Sequence, residues 1–411
     1  MSGEDVLDTT ETTCCIAGAG PGGMILALLL ARRGVPVMLL EAHPTFERDF
    51  RGDTLHPSSL EVLDQIGLAD ALHRLPHVKM YGAPPQVASM LGVALFDFRR
   101  DLKTRYPYIM WMAQERFLDF LAGHARTLPS LRLVLGASVQ RLVVEDGVVR
   151  GVRYRSADGW HEVRAPLTVG ADGRFSRVRK LAGIEPVPTS SPVELIWFRL
   201  PRLDNDPEAT GIVSVRFTRG RLMLMIDRAD HWQAGIFFPV GQYPAIHAAG
   251  LDALRQTIVA LEPRFAKNVK SLTDWHQVSL LSVASSRCRH WYKPGLLLIG
   301  DAAHTMTPAA GSGIKYAIDD AVEAANVLTG PLLAGRLRLA DLREVQRRRE
   351  WPTRFIQAFG AGGLRRIGAL LRTGRPSPLP RLTAWLLRLP LVTRLLAKLL
   401  AFGLWRVRVN N

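Results

Sequence analysis

From Thr12 to Glu41 the sequence reads strand, glycine-rich turn, helix, strand and acid, an order that few folds accommodate. Thr12 to Ala17 is a short run ending in CCIA and is expected to form a buried strand. Gly18, Gly20 and Gly23 follow with the spacing G-x-G-x-x-G, enclosing Ala19 and Gly22. MILALLLARR (24–33) carries leucines on nearly every side, so its helix should be buried all round. Gly34 suits a helix C-cap. Val35 to Leu40 is a second buried strand and ends at Glu41. Two such strands with a helix between them are expected to pair in parallel.

Each glycine has its own task. Gly18 permits the tight turn, Gly20 lets backbone approach a pyrophosphate, and Gly23 lets the helix lie close to the strand. The helix then presents free N–H groups and a positive dipole end to phosphates. Glu41 lies 23 residues after Gly18, where a carboxylate can accept the ribose hydroxyls of an adenosine. The pattern predicts a dinucleotide site.

The rest of the chain divides by texture. Pro57 to Leu68 and Gln114 to His124 have helical spacing. Leu131 to Val163 alternates, with turns at Glu145-Asp146-Gly147 and Ala157-Asp158-Gly159, and is expected to form strands. Residues 184–285 hold the strand-like runs VELIWFRL, GIVSVRF, RLMLMI and WQAGIFFP, interrupted by the helical LDALRQTIVALEP. Afterwards LLLIGD and a helix near Gly313 to Leu328 return to the first texture. The expected fold is α/β: a Rossmann-like domain (12–183, closing at 286–330), an inserted, mainly antiparallel sheet (184–285), and a basic helical C-terminal region (331–411).

With 411 residues, 47% hydrophobic and 22% charged, the chain fits an ordinary globular protein, with disorder expected only in the acidic start MSGEDVLDTTETT. That start has no basic region or apolar run of a secretory signal. The three cysteines, Cys14, Cys15 and Cys288, suggest a reduced, cytoplasmic chain without a disulfide framework or metal site. The net charge of +16 is uneven. Residues 331–411 hold 17 Lys+Arg and 3 Asp+Glu, a net of +14, leaving +2 for the first 330. These cations sit among leucines, not among stacking aromatics and polar loops. No nucleic-acid partner is therefore expected. The two readings are a helix pair packed on the core, or peripheral contact with an anionic membrane surface. Arg381, Arg388, Arg394 and Lys398 fall on one arc of a helical wheel. They also interrupt the apolar run that a membrane span would need.

Two further segments narrow the dinucleotide. TVGADGRFSRVR (168–179) and GLLLIGDAAHTMTP (295–308) follow the glycine-rich opening in order. With them the chain, over about residues 12–360, resembles the FAD-dependent monooxygenases related to para-hydroxybenzoate hydroxylase and the ubiquinone-biosynthesis hydroxylases. The resemblance implies FAD as cofactor and NAD(P)H as transient electron donor, without a nucleotide domain of its own. It implies O2 activation through a C4a-hydroperoxyflavin, and a hydrophobic small-molecule substrate, aromatic or quinone- or isoprenoid-like, under the inserted sheet. It also implies roles for individual residues. Asp172 would support the FAD pocket, although it could equally cap a short helix. Asp301 would bond the ribityl chain. Arg51 would approach pyrophosphate and flavin, or form a surface ion pair. Gln114 would contact FAD, or cap its helix. Pro308, Gly311, Gly313 and Ile314 belong to the turn and helix start near the flavin, where backbone N–H groups would stabilise negative charge.

Lys315 departs from the family, which usually has Asn there. It would either add a cation beside the flavin or point into solvent. No catalytic side chain is assigned, because the cofactor carries the chemistry; His304 is given no chemical role. A flavin reductase or dehydrogenase of the same fold and a non-catalytic membrane-associated FAD protein remain alternatives. A halogenase is disfavoured, because HWQAGIFFP lacks the W-x-W-x-I-P element.

Overall fold

The computed structural model describes residues 6–47, 53–82, 97–190, 193–204, 206, 213–218, 220–228, 231–307, 311–374 and 389–410. Its centre is the strand β1 (Cys14–Ala17), every residue of which is buried. The glycine-rich turn leads into α1 (Pro21–Arg32), in which Pro21 to Ala31 are all buried, as a helix apolar all round requires. Gly34 then adopts a φ of +81° and lets the chain reverse into β2 (Val37–Glu41). After α2 (Gln114–Ala125) come β3 (Leu131–Leu135) and β4 (Leu167–Gly170). β4 returns to the other side of β1, pairing Cys14 with Leu167, while β2 pairs Cys14 with Val37. The chain thus reverses its direction of travel across the sheet at β1. In an open parallel sheet such a switch point opens a crevice at the carboxyl ends of the strands.

The second unit is a five-stranded antiparallel sheet of β5 (Val193–Pro201), β6 (Val213–Thr218), β7 (Arg221–Asp227), β8 (His231–Phe238) and β9 (Val278–Val283). Its order is β6-β7-β8-β5-β9. Alternation divides the apolar side chains cleanly between its faces. Ile196, Phe198, Met223, Met225, Trp232 and Phe238 pack with the helix Gly250–Leu261. Trp197, Leu222, Ile226 and Phe237 point the other way. Gly235 sits opposite Trp197 in the ladder, and a Cβ there would strike the indole ring. The chain then returns through β10 (Tyr292–Lys293) and β11 (Leu296–Leu298), completing a six-stranded sheet of order β10-β11-β4-β1-β2-β3.

Three helices finish the described chain: α3 (Gly313–Leu333), α4 (Leu339–Thr373) and α5 (Pro390–Phe402). The last turns of α4, from Leu364 to Leu371, cover the Trp197 face of the antiparallel sheet. α5 starts at Pro390, whose missing N–H is no loss in a first turn. Arg394 and Lys398 on α5 are exposed; Arg381 and Arg388 lie outside the described residues.

The acidic start corrects one expectation. Val6–Glu11 is a strand, paired in parallel with Trp160–Arg164 in a separate four-stranded sheet. Asp8 bonds the His161 ring, and the β-branched Thr9 and Thr10 suit the pleat. The acidic composition concealed a short β segment with a partner 150 residues away.

Candidate active site

A cleft of about 480 Å³ opens at the carboxyl ends of β1, β2, β4 and β11, where Ala17, Leu40, Ala171 and Ile299 form its floor. Gly18, Gly20, Gly22, Glu41, Gln114, Asp172, Asp301, Gly311, Gly313 and Ile314 all line it. Residues more than 250 positions apart thus converge on one crevice.

The glycine-rich turn is steric in origin. Gly18 has a φ of +102°, and a Cβ there would lie 2.5 Å from the Ala171 carbonyl oxygen. A Cβ at Gly23 would collide with the Gly18 carbonyl oxygen, so Gly23 fixes how closely α1 follows β1. Gly22 brings α1 against α3, where a Cβ would sit 3.0 Å from the Ala317 carbonyl oxygen. At Gly20, by contrast, a Cβ would meet nothing within 4 Å. That space opens on the cleft and leaves α1's first amides accessible, as a diphosphate requires. Ala19 and Gly23 therefore stand behind the wall rather than in it.

Glu41 is 3% exposed. It accepts the Ala19 backbone N–H at 2.9 Å on Oε2 and the His43 N–H at 3.1 Å on Oε1. Two amides thus orient the carboxylate at the cleft edge. Asp172 accepts the Ser176 hydroxyl at 2.5 Å and the Val178 N–H at 3.0 Å. Burial pushes its pKa up, and these hydrogen bonds oppose the rise. Asp172 lines the cleft, and its carboxylate accepts an amide in the first turn of the helix Arg177–Leu181, whose N-cap is Ser176. Asp301 lies in the turn Gly300–Ala302, with Gly300 at a φ of +58°.

The second helix terminus at the cleft is that of α3. Gly311 turns at a φ of +59°, and its carbonyl accepts the Thr54 hydroxyl at 2.5 Å. No acidic residue occupies the first turn of α3, so its dipole faces the cleft unopposed.

Lys315 corrects both expectations made for it. It is 1% exposed and lies outside the cleft lining. Its Nζ bonds Asp319 Oδ2 at 2.7 Å, one turn along α3. Asp320 beside it accepts Arg349 Nε at 2.8 Å, the Gly300 N–H at 2.9 Å, and lies 2.6 Å from His304 Nε2. Burial raises the Asp320 pKa, but His304 and Arg349 outweigh it and hold the carboxyl at about 2. Burial lowers the Lys315 pKa despite Asp319. The Lys315 Nζ lies over the Tyr316 ring, 4.5 Å from the centre, and close to Gly403, away from solvent. Arg51 and Pro308 lie outside the described residues.

Sequence reasoning missed Thr54, Met306 and Thr307 in the wall and Phe175 at the rim, 80% exposed. Thr54 follows the Arg51 segment, but nothing in sequence tied its hydroxyl to Gly311. A second cavity of about 140 Å³ was also missed. Asp53, Trp111, Arg199, Arg228 and Gln233 line it, and it shares Gln114 and Leu118 with the cleft. Arg228 pairs with Asp53 and lies 4.9 Å from the Trp111 ring centre. Burial raises the Asp53 pKa, opposed by Arg228 and the Gln114 backbone. This cavity lies where the antiparallel sheet meets the first unit.

A family model described as an FAD binding domain matches residues 11–351. The chain belongs to this family of flavoprotein monooxygenases. It is an FAD-dependent oxidoreductase. A 6-methylpretetramide 4-monooxygenase of Streptomyces rimosus is 34% identical over 363 residues, 86% of this chain and 80% of that protein. An anhydrotetracycline hydroxylase structure from the same organism superposes with a TM-score of 0.76 at 26% identity, covering 95% of this chain and 76% of that one. A p-nitrophenol 4-monooxygenase from Pseudomonas putida shares the fold, with a TM-score of 0.74 at 20% identity over 95% of this chain and 97% of that one. The glycine-rich opening, the Asp172 segment and the Asp301 segment thus carried the family correctly.

Proposed function

We propose that this flavoprotein takes electrons from NAD(P)H and transfers one oxygen atom of O2 to a hydrophobic aromatic, quinone-like or isoprenoid-like molecule. The observation that carries the reading is the shared wall of the two cavities. Gln114 and Leu118 line both the larger cleft and a smaller chamber, which Arg199, Arg228 and Gln233 also line.

Bound FAD supplies electron transfer and oxygen activation. The chain's own residues hold and shield it. The amides after Gly20 would receive the diphosphate, Glu41 the adenosine ribose, and Asp301 the ribityl chain. The α3 terminus at Gly313 and Ile314 would stabilise negative charge on the reduced ring. Arg51 and Pro308 complete the proposed set. Trp111, Leu118 and the Asp53–Arg228 pair close the smaller chamber and would keep water from the reacting centre. The relatives' named substrates, 6-methylpretetramide and anhydrotetracycline, favour an aromatic substrate. The basic C-terminal region would meet an anionic membrane surface, from which a hydrophobic substrate could be drawn.

The test is O2 uptake by FAD-loaded protein with NADH or NADPH and candidate aromatic and quinone-like compounds. Uptake that rises with one compound and yields a hydroxylated product is expected. Substrate turnover without O2 would replace this reading with the reductase.

A further inference from the structure

α4 presents three large aromatic side chains to solvent along one stripe. Trp351, Phe355 and Phe359 are 55%, 40% and 43% exposed. Their spacing of four places them on one face, spanning about 12 Å of helix. The opposite face, with Ile356, Gly360 and Leu364, is buried against the body of the protein. The stripe is therefore an outer face of a helix whose inner face is already occupied. Single exposed apolar residues are ordinary, but a contiguous aromatic stripe marks a contact surface.

The charge around it is mainly basic, although Arg347 pairs with Glu344 at 2.6 Å and Arg354 lies 3.8 Å from Glu350. Arg354 and Arg365 are exposed beside the rings, and Arg347 precedes them one turn earlier, 72% exposed at its side chain. From Trp351 to Asn411 the sequence holds 11 Lys+Arg and no Asp or Glu. α5 repeats the pattern independently. Leu391 and Leu395 are 78% and 65% exposed, with Arg394 and Lys398 exposed between and beyond them. Among the described residues, no helix is long and apolar enough to cross a membrane.

We infer that the Trp351–Phe355–Phe359 face of α4 docks on the surface of a bilayer containing anionic lipid. Rings interleaved with guanidinium groups match an acyl boundary beneath a layer of phosphates. The excess of basic side chains adds attraction to the anionic headgroups, reduced where Arg347, Arg354 and Arg394 lie against Glu344, Glu350 and Asp101. An acidic protein would need a complementary groove for the rings and would leave the α5 face without a use. The inference deepens the membrane-surface reading above and rests on it. It moves the contact from the C-terminal helix pair to a helix that also covers the substrate sheet.

The experiment is co-sedimentation of the FAD-loaded 411-residue chain with vesicles of phosphatidylcholine alone or mixed with phosphatidylglycerol. Binding to the mixed vesicles, at least tenfold weaker on phosphatidylcholine and weakened by salt, is expected. Trp351→Ser/Phe355→Ser/Phe359→Ser should lower binding to the mixed vesicles at least tenfold. Its unchanged flavin spectrum and melting temperature would certify the fold, since all three side chains are exposed. Leu391→Ser/Leu395→Ser serves as the comparison and should lower binding less. The inference is overturned if the protein stays in the supernatant with both vesicles, or if the triple variant binds like the parent. It is also overturned if light scattering shows that the parent self-associates through the stripe and the triple variant does not. No substrate is present, so failure here leaves the oxygenation reading untouched.

Discussion

Two helices point their N-termini into the same cleft, and they are held there differently. α1 is apolar from end to end. Pro21 to Ala31 are buried, and its position is set by volume, because Gly18, Gly22 and Gly23 lie against backbone of β4 and α3 or of the turn itself. α3 shares that apolar core through Ile314, Ile318 and Val322, but adds a buried charge cluster. Behind Gly313 and Ile314 it buries Lys315, Asp319 and Asp320 with Arg349 and His304. A volume-set terminus tolerates loss of charge but no added atom. A terminus backed by buried charge tolerates pH and substitution only while each buried group keeps a partner.

The largest expected effect on FAD affinity strikes α1. Gly23→Val adds atoms that face backbone, which cannot move aside. FAD affinity should fall about 100-fold or more, equivalent to about 2.8 kcal/mol, in a fluorescence titration. Affinity within about twofold would break the volume account.

Asp320→Asn attacks α3. It strips Arg349 and His304 of their shared carboxylate, and should cost about 3 to 5 kcal/mol in denaturant unfolding. The same residue sets an acid limit. Its pKa of about 2 in the fold lies below the ordinary carboxylate value near 3.8. The stability it contributes is therefore present above about pH 4 and lost as pH falls toward 2. Parent and Asp320→Asn should converge over that window; a gap that stays constant would contradict the account.

Glu41→Gln keeps the shape and removes the charge. In its proposed role the carboxylate receives the adenosine ribose, so about a tenfold loss of FAD affinity, about 1.4 kcal/mol, is expected. The smallest effect on FAD affinity separates the helices most sharply. Lys315→Met should lower stability by about 2 kcal/mol, less than a fully orphaned charge, because Arg349 lies 3.5 Å from Asp319. FAD affinity should change less than about threefold, since Lys315 faces away from the cleft.

The same contrast explains what the sequence made legible. The α1 end is local: strand, glycines, apolar helix and acid lie within 30 residues, and each element carries its own signal. The three motifs held five of the cleft-lining residues, Gly18, Gly20, Gly22, Asp172 and Asp301, while Glu41 came from its spacing and Gln114, Gly311, Gly313 and Ile314 from the resemblance. The α3 end is not local. Lys315 and Asp319 are one turn apart and could be paired from spacing. Arg349 arrives from α4 and His304 from the turn before α3, so their meeting depends on how two helices pack. The chamber under the sheet was hidden for the same reason. Asp53, Trp111 and Arg228 come from three separate segments, and alternation alone could not say which sheet face meets the cleft. Phe198, Met223 and Trp232, apolar residues of the strand-like runs, belong to the far face.

The central claim is oxygen transfer at this cleft. The direct measurement is turnover of the FAD-loaded protein under isotopically labelled O2, with NAD(P)H and a responsive aromatic substrate, read by mass spectrometry. The account predicts one labelled oxygen atom per product molecule and one NAD(P)H consumed with it. Product formed with unlabelled oxygen, or at the same rate without O2, would contradict it.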